Sequence, residues 1–351
     1  MNSTNSNSHK YLIIAPAWVG DMVMAQSLFL YLKQLHPSCT IDLIAPSSSL
    51  AMADFMPEIT EATLGDFKHG EFSLGNRHRF GKSLRDNGYT HSITLPNSWK
   101  SALIPYSAKI PNRIGWKGEM RYGLINDIRT LDKEKYPLMI ERFDALAIRK
   151  NDPLPKTLPF PKFTIPRELS HHIQDKFKLR RRSDKASKII AICPGAEFGP
   201  AKKWPARYYA EVATLLMNAG HTVWLFGGPG DIKTTDEILA HAAKDNITSF
   251  AGKTSLPEAV ALLNKADAVL SNDSGLMHIA CALDKKTFVI YGSTSDKFTP
   301  PLHAGAKIMY LEGLDCRPCF KRECPLGHMD CLNKLTPKKV IQAFNEYLSE
   351  S

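Results

Sequence analysis

Short apolar runs alternate with amphipathic stretches twice along the chain, and this alternation constrains the fold more than any other feature. The first run, YLIIAP, is followed by residues 21–35, whose apolar side chains recur at helical spacing, and then by the runs TIDLIA and HSITLP. The pattern restarts at KIIAIC and continues to KTFVIYG. Because strands that alternate with helices form parallel sheets, the sequence predicts an α/β fold with two doubly wound halves.

Residues 151–187 interrupt this alternation. They contain five prolines and most of the basic stretch KFKLRRRSDKASK. Since proline breaks regular elements, we expect a connector without helices or strands, and a length of 351 residues agrees with two domains. The predicted parts are a disordered polar leader at 1–10, a first domain at 11–150, the connector at 151–187, a second domain at 188–335 and a C-terminal helix at 336–351.

The composition excludes several classes of protein. Hydrophobic residues make up 43% of the chain and charged residues 23%, which is typical of a globular protein and not of a disordered or fibrous one. The sequence has no apolar run of the roughly 18 residues that a membrane span needs, and its first ten residues lack the apolar stretch of a signal peptide. We therefore expect a cytoplasmic protein. Seven cysteines, an odd number, indicate no disulfide framework.

The net charge of +10 is unevenly distributed. Residues 1–150 carry +4, residues 151–187 carry +5 and residues 188–351 carry +1. The basic excess therefore lies in the first half and the connector. It favours an anionic partner there, which could be nucleic acid, a phosphorylated small molecule or an acidic membrane surface.

Three common signatures are missing from the sequence. Neither GxxxxGK[ST] nor GxGxxG occurs, which argues against a P-loop enzyme and against a standard NAD-binding site. No Asp-x-Asp pair occurs, which removes the signature by which many sugar transferases hold a divalent metal. The remaining candidates lie where predicted strands end.

Asp21 follows the first predicted strand, in the string WVGD. Gly20 allows a tight turn from strand to helix and places Asp21 at the helix start. The carboxylate could serve as an N-cap. Because a carboxylate would repel a phosphate, the alternative is that it accepts a proton from a hydroxyl group.

The string SNDSGLMH at 271–278 joins a predicted strand to a predicted helix. Backbone amides from Ser274 and Gly275 onward can bind a diphosphate at the positive end of the helix. Asp273 belongs to the same group, with a plain N-cap as the alternative. His278 lies on the same helix face as Ser274, where it would either reach a phosphate or pack as a neutral core histidine.

Another junction of strand and helix contains Gly195 and Ala196, followed by Lys202 and Lys203. Glycine permits the turn, and a lysine there would bring positive charge to a leaving phosphate. Two solvated lysines are the alternative interpretation.

Polar and basic residues with interleaved aromatics follow strands of the first half. They suit the recognition of phosphate or carboxylate. Nucleic-acid binding is the competing interpretation, but the sequence has no repeated basic face or recognised nucleic-acid module. The candidate residues are Asn97, Ser98, Lys100, Arg113 and Arg121.

Four cysteines near the C-terminus have the spacing CxxC-x4-C-x6-C. This spacing could form a small zinc site, although it is tighter than that of the usual paired knuckles. We expect reduced surface thiols and no bound metal, with zinc as the alternative. The four residues are Cys316, Cys319, Cys324 and Cys331.

Taken in order, five strings resemble the family of ADP-heptose:lipopolysaccharide heptosyltransferases and are most similar to its heptosyltransferase II branch. The resemblance spans nearly the whole chain, and the order and spacing of the strings are more specific than any single motif. The strings are APAWVGDMVMAQSL, LPNSWKSALIP, GWKGEMRYGLINDIRTLD, CPGAEFGPAKKWP and NDSGLMHIACAL.

The resemblance implies a GT-B fold, with two facing Rossmann-like domains and a cleft between them, the N-terminal one for the acceptor and the C-terminal one for ADP-heptose. It implies inverting transfer of L-glycero-D-manno-heptose from ADP-heptose to the first heptose of the inner core on Kdo2-lipid A. It also implies no required cofactor, no nucleic-acid partner and peripheral contact with the cytoplasmic face of the inner membrane. Addition of the first or a later core heptose is the alternative, and a nucleotide-sugar-binding or zinc-containing interaction protein without turnover is the alternative from another class.

The resemblance also implies roles for individual residues. Asp21 would be the base that deprotonates the acceptor hydroxyl, and Lys202 would hold the diphosphate of the departing ADP. Asp231 would contact the ribose, and Thr254, within 253–256, would face the adenine. The other donor-binding positions would be Gly195, Ala196, Asp273, Ser274, Gly275 and His278, and the acceptor-binding positions Asn97, Ser98, Lys100, Arg113 and Arg121.

Overall fold

The computed structural model describes residues 9–65, 73–179, 187–243 and 246–350. Residues 1–8 of the predicted leader and residues 180–186 of the predicted connector lie outside the described residues. The chain forms two compact units, Met1–Pro161 and Lys162–Ser351. Of the helices in the described ranges, none is long and apolar enough to cross a membrane.

The first unit is built on a six-stranded parallel sheet. Its strands are β1 (Lys10–Ile14), β2 (Thr40–Ala45), β3 (Glu61–Leu64), β4 (His91–Thr94), β5 (Asn112–Trp116) and β6 (Asp127–Arg129). Their order in the sheet is β3-β2-β1-β4-β5-β6. Ile13 at the centre lies beside Leu43 of β2 and Ile93 of β4, and all three side chains are buried, as expected of strands covered on both faces.

Helices cover this sheet. The longest one buries Met22, Phe29 and Leu32 and ends at Leu35, shortly before Pro37, which cannot continue a helix. Two short 3-10 helices lie at Ala51–Phe55 and Arg85–Asn87. The helices are α1 (Val19–Leu35), α2 (Ser47–Leu50), α3 (Leu74–Ser83), α4 (Trp99–Ser107) and α5 (Met139–Asp144).

The second unit repeats the architecture of the first. Its strands are β7 (Ile189–Cys193), β8 (Thr222–Leu225), β9 (Ile247–Ser249), β10 (Ala268–Asn272), β11 (Lys286–Ile290) and β12 (Lys307–Met309). Their order is β12-β11-β10-β7-β8-β9, and all are parallel. Leu270 of β10 lies between Ile192 of β7 and Phe288 of β11, and these side chains are fully buried.

The core of the second unit packs helices against this sheet. Val212 and Leu216 from one helix and Phe344 from another bury themselves against Leu270 and Phe288. Two 3-10 helices lie at Pro200–Lys202 and Pro229–Asp231. The helices are α6 (Arg167–Lys176), α7 (Ala206–Asn218), α8 (Ile232–His241), α9 (Leu256–Leu263), α10 (Gly275–Ala282), α11 (Asp330–Asn333) and α12 (Pro337–Ser349).

Both sheets reverse their strand order beside the first strand of the unit, between β1 and β4 and between β7 and β10. Connections that leave neighbouring strands in opposite directions open a crevice at the carboxyl ends of those strands. Asp21, Lys202 and Asp273 follow strands at these reversal points, whereas Arg121 and Asp231 follow the strands next to them, β5 and β8. Each unit therefore places candidates at and beside its own reversal point. The predicted α/β fold with two Rossmann-like domains is confirmed.

The expectation of a connector without regular structure is wrong in one respect, because α6 lies inside it. The helix begins directly after Pro166, the last of the five prolines, so proline does not interrupt it. Its Ile173 is fully buried, and its His172 and Lys176 bind the Glu258 carboxylate of α9 at 2.9 and 2.7 Å. Burial and these two contacts hold α6 on the second unit.

Candidate active site

Asn272 joins two loops at the carboxyl ends of β7 and β10. Its amide nitrogen donates to the carbonyl of Pro194 at 2.6 Å. Its amide oxygen accepts from the Tyr209 hydroxyl at 2.8 Å and from the backbone N–H of Trp204 at 3.2 Å. The side chain is fully buried. Sequence reasoning missed this residue, whose only signal was its place at the end of a predicted strand, directly before Asp273.

Lys202 and Asp273 form an ion pair at the same edge of the sheet. The Nζ of Lys202 lies 2.6 Å from Oδ2 of Asp273, and the hydroxyl of Thr294 donates to the same oxygen at 2.6 Å. The Asp273 side chain is 3% exposed and that of Lys202 is 14% exposed. The carboxylate therefore holds the ammonium group in place while leaving part of it accessible, and the interpretation of Lys202 as a solvated surface lysine is wrong.

The amino end of α10 lies next to this ion pair. Its N-cap residue is Ser274, so the interpretation of Asp273 as an N-cap is wrong, and the Asp273 carboxylate binds Lys202 and Thr294 instead. The side chain of Ser274 makes no capping hydrogen bond to the first amides of α10. The first amides of this helix are thus suited to bind an anion.

His278 is buried in the first turn of α10. Burial lowers the pKa of its imidazole to about 4, with nearby Asp273 raising the pKa and Lys202 lowering it. Its Nδ1 has no hydrogen-bond partner among the described residues. The imidazole is therefore neutral near pH 7 and packs in the core, where it has an unused polar atom.

Asp231 lies at the carboxyl end of β8, in the 3-10 helix that precedes α8. One carboxylate oxygen lies 3.0 Å from the Nζ of Lys203, and the other accepts from the N–H of Gly228 at 3.2 Å. A Cβ at Gly195 would collide with this carboxylate, so glycine is required for the close approach of the two loops. Sequence reasoning grouped Lys203 with Lys202 as a possible partner of a leaving phosphate and did not predict its contact with Asp231, which depends on tertiary packing.

Two other donor-side candidates occupy supporting positions. Ala196 is buried in the turn after β7. The hydroxyl of Thr254, after β9, lies 3.4 Å from the carbonyl of Phe250, and the neighbouring Lys253 donates to the carbonyl of Ser249 at 3.1 Å. Their contacts with a nucleotide stay predictions.

Asp21 lies in the first turn of α1. The N-cap residue of this helix is Trp18, so the interpretation of Asp21 as the N-cap is wrong, and Gly20 lies within the helix instead of forming the turn before it. The side chain is half-buried. This position places a carboxylate at the amino end of the helix that follows β1, and its role as a base stays a prediction.

Arg121 is used inside the first unit. Its side chain is 1% exposed and donates to the carbonyl of Pro96 at 2.7 Å, to the side-chain oxygen of Asn97 at 3.1 Å and to the carbonyl of Trp116. The structure thus brings two acceptor-side candidates, Arg121 and Asn97, into direct contact. The guanidinium group holds the loops after β4 and β5 together.

Arg113 also binds backbone carbonyls, those of Leu124 at 2.7 Å and Ile110 at 2.6 Å. Ser98 is the N-cap residue of α4, and Lys100 is the second residue of that helix and half-buried. The contacts of both arginines support a structural role, and acceptor binding by the five candidates stays a prediction.

The four C-terminal cysteines line one pocket together with Arg317 and His328. Across residues 9–65, 73–179, 187–243 and 246–350, no three or more His, Cys, Asp or Glu side chains form a group that could hold a metal ion. The backbone of this segment supports the loop that carries Lys202, because the backbone N–H of Ala201 donates to the carbonyl of Arg322 at 3.0 Å. Reduced thiols stay the prediction and zinc binding the alternative, and metal analysis of the purified protein distinguishes them.

Comparison with known proteins places the chain in a family. Residues 77–330 match glycosyltransferase family 9 (heptosyltransferase). The chain is 42% identical over 349 residues to lipopolysaccharide heptosyltransferase 2 of Salmonella typhimurium, covering 97% of this chain and 99% of the relative. It is 42% identical over 347 residues to lipooligosaccharide heptosyltransferase 2 of Haemophilus influenzae, with the same two coverages.

The structure agrees with the sequence comparison. It is similar to that of Escherichia coli ADP-heptose lipopolysaccharide heptosyltransferase II, with a TM-score of 0.84, 40% identity and coverage of 97% of this chain and 98% of the other. The assignment rests on two observations: the two parallel sheets, which are of the kind found in GT-B enzymes, and the similarity over nearly the full length of both chains. The chain belongs to glycosyltransferase family 9, the heptosyltransferases.

Proposed function

We propose that the protein transfers L-glycero-D-manno-heptose from ADP-heptose to the first heptose of the lipopolysaccharide inner core, on Kdo2-lipid A, with inversion at the anomeric carbon. The observation that carries this proposal is the Lys202–Asp273 ion pair beside the amino end of α10, in a chain 42% identical to a lipopolysaccharide heptosyltransferase 2. No cofactor is required for this reaction.

The donor half of the reaction uses the second unit. ADP leaves with negative charge on its diphosphate, and fixed donors stabilise such charge more than mobile water does. Lys202 and the first amides of α10 supply these donors. Asp231 accepts hydrogen bonds from the ribose, and Thr254 lies near the adenine.

The acceptor half uses Asp21. Its carboxylate accepts the proton of the attacking hydroxyl while the hydroxyl oxygen forms a bond to the anomeric carbon and the bond to the diphosphate breaks. This single displacement passes through an oxocarbenium-like transition state and inverts the anomeric carbon. The role of Asp21 is supported by its place in the first turn of α1 and by the resemblance of the surrounding string to the family.

The acceptor is lipid-linked and anionic, which agrees with the basic excess in residues 1–187. Asn97, Ser98, Lys100, Arg113 and Arg121 form its binding region, the two arginines by shaping loops and Lys100 by its charge. We place the protein at the cytoplasmic face of the inner membrane, in peripheral contact with it.

An assay with defined acceptors tests this function. Purified protein is given ADP-heptose and either Kdo2-lipid A, its one-heptose form or its two-heptose form. We expect transfer chiefly to the one-heptose acceptor, with a product of inverted configuration. Preferential transfer to the heptose-free or two-heptose acceptor would instead assign the addition of the first or a later heptose.

A further inference from the structure

A buried carboxyl group in the first unit lies close to one hydroxyl group. Asp144, the last residue of α5, is fully buried. Its Oδ2 lies 2.7 Å from the hydroxyl oxygen of Ser27 on α1, and its Oδ1 finds no hydrogen-bond partner within the part of the chain that the structure describes. A carboxylate with one oxygen unpaired in the core would be costly, since burial penalises an ionised group.

The Ser27 hydroxyl has two neighbours that accept hydrogen bonds. Its oxygen also lies 2.6 Å from the carbonyl oxygen of Pro159. A hydroxyl has one proton, and a carbonyl oxygen can only accept. If Asp144 were ionised, two acceptors would compete for that proton. If Asp144 is protonated, it donates to Ser27, Ser27 donates to Pro159, and both short contacts are hydrogen bonds.

The charged surroundings favour the protonated form. Burial raises the pKa of Asp144 to about 8, the hydrogen bond from Ser27 opposes this rise, and the negative charge of Glu141 on the same helix adds to it. On α1 the titratable neighbour is Tyr31, whose own pKa is raised by burial and by Asp144. Neither neighbour supplies a positive charge. The guanidinium group of Arg129 on β6 donates to the carbonyl of Ala145 at 2.6 Å, and its charge is paired with Asp127 at 2.7 Å.

We propose that Asp144 is a neutral carboxylic acid in the working protein and a positioning residue, which fixes α1 through the chain of hydrogen bonds from Asp144 to Ser27 to Pro159. Ser27 lies six positions after Asp21 on this helix. The chain of hydrogen bonds therefore ties the helix that carries the proposed base to α5 and to the end of the first unit. The effect on catalysis rests on the proposed function, whereas the protonation does not.

Three variants of the full chain test the proposal: D144N, which keeps a hydrogen-bond donor but cannot ionise; D144A, which removes the donor; and D152N, a matched change at an exposed aspartate. Infrared spectra at pH 7 should show a protonated carboxyl band in the wild type and in D152N that D144N lacks.

Above pH 8 the kcat of the wild type should fall relative to that of D144N, while KM stays similar. D144A should lower kcat about tenfold at every pH, because small displacements of a catalytic group cost up to about a hundredfold.

Unfolding measurements require no substrate and separate this proposal from the proposed function. Asp144 holds its proton more tightly in the folded protein than in the unfolded chain. The resulting stabilisation of the folded protein is complete below the pKa of the aspartate in the unfolded chain and is lost as the pH rises toward 8. Between pH 6 and 8, the unfolding equilibrium constant of the wild type relative to D144N should rise by up to about tenfold per pH unit and then level off. If D144N does not fold, carbon NMR of labelled aspartates in the wild type decides, since one carboxyl should titrate near pH 8.

Two results would overturn the proposal. Parallel unfolding profiles for the wild type and D144N, with no difference between their carboxyl bands, would show that Asp144 is ionised. Normal kcat in D144A, in a preparation that transfers heptose, would remove the positioning role. A fully inactive wild type that retains the carboxyl band and the unfolding profile would contradict the proposed function and leave the protonation of Asp144 supported.

Discussion

At the scale of single residues, the second unit places a partly exposed lysine against a buried carboxylate. Removing either partner leaves the other charge poorly solvated. This lowers the stability of the protein more than breaking a solvent-exposed ion pair would. The Lys202–Asp273 contact therefore serves two purposes, local stability and the orientation of a cation near α10. These purposes can be separated by changing one residue or both.

K202M should lower kcat by about a hundredfold or more, because it removes the fixed charge that we propose stabilises the leaving group. It should also lower the midpoint of thermal unfolding, because Asp273 is left without its cationic partner. The double variant K202M/D273N should recover the thermal midpoint but not kcat. K339M, at an exposed lysine of α12, is the matched control and should change neither quantity. Recovery of kcat in the double variant would argue against a direct role of the ammonium group.

His278 should make stability depend on acidity. Since its pKa is lowered to about 4 by burial, the unfolded chain binds more protons than the folded one between about pH 6.5 and 4, so stability decreases as the pH falls through this range. H278Q should remove up to about 2 kcal/mol of this dependence between pH 7 and pH 5. Urea unfolding at pH 7 and pH 5 measures it, with H171Q at an exposed histidine as control. An equal loss of stability for the wild type and H278Q on acidification would refute the assignment.

Sequence reasoning found these residues but not their partners. Asp273 and His278 were identified by their place after a strand, which a local pattern predicts. The binding of Asp273 to Lys202, 71 positions away, depends on which strands become neighbours. The same holds for Arg121, whose charge predicted anion binding but whose burial against Asn97 and Pro96 depends on tertiary packing.

At the scale of elements, apolar periodicity predicted the central strands of both sheets and the longer helices, because apolar spacing directly reflects burial. It did not predict β3, β5, β6 or β12, which are short or only partly buried. Sequence reasoning also missed α6. The five prolines in residues 151–166 led to the expectation of an irregular connector, although the residues that follow them form a helix. The helix has one fully buried residue, Ile173, and depends on its contacts with Glu258. A sequence pattern does not contain that information.

E258Q should weaken the packing of α6 against the second unit. Although burial opposes ionisation, hydrogen bonds from Lys176, the Ser255 backbone and His172 lower the pKa of Glu258 to about 2, so the carboxylate is charged at neutral pH. Losing that charge should speed amide hydrogen exchange across Arg167–Lys176, while exchange in β10 stays slow. E237Q, at an exposed position of α8, is the control. Unchanged exchange in α6 of E258Q would show that Ile173 alone anchors the helix.

At the scale of the whole molecule, the division of charge matches the proposed division of substrates. Residues 1–187 carry +9 of the net +10, and the second half is nearly neutral. Exposed charges are screened by salt over about 10 Å, whereas partly buried groups such as Lys202 are screened less. The two substrates should therefore respond differently to ionic strength.

Raising the salt concentration from about 50 to 300 mM should increase KM for the lipid-linked acceptor several-fold, since screening weakens its attraction to the basic first half. The KM for ADP-heptose should change less. Steady-state kinetics with each substrate varied in turn measures both values. An equal increase in the two KM values would show that the charge excess does not select the acceptor.

The role of Asp21 is tested most directly by measuring heptose transfer and donor binding separately in Asp21→Asn. We expect heptose transfer to fall by at least about a hundredfold, because the proposed general base is lost, while calorimetry gives an unchanged Kd for ADP-heptose. Asp54→Asn, at an exposed aspartate of the same unit, should behave like the wild type. Near-normal transfer by Asp21→Asn would contradict the assignment of Asp21 as the base and, with it, the proposed mechanism.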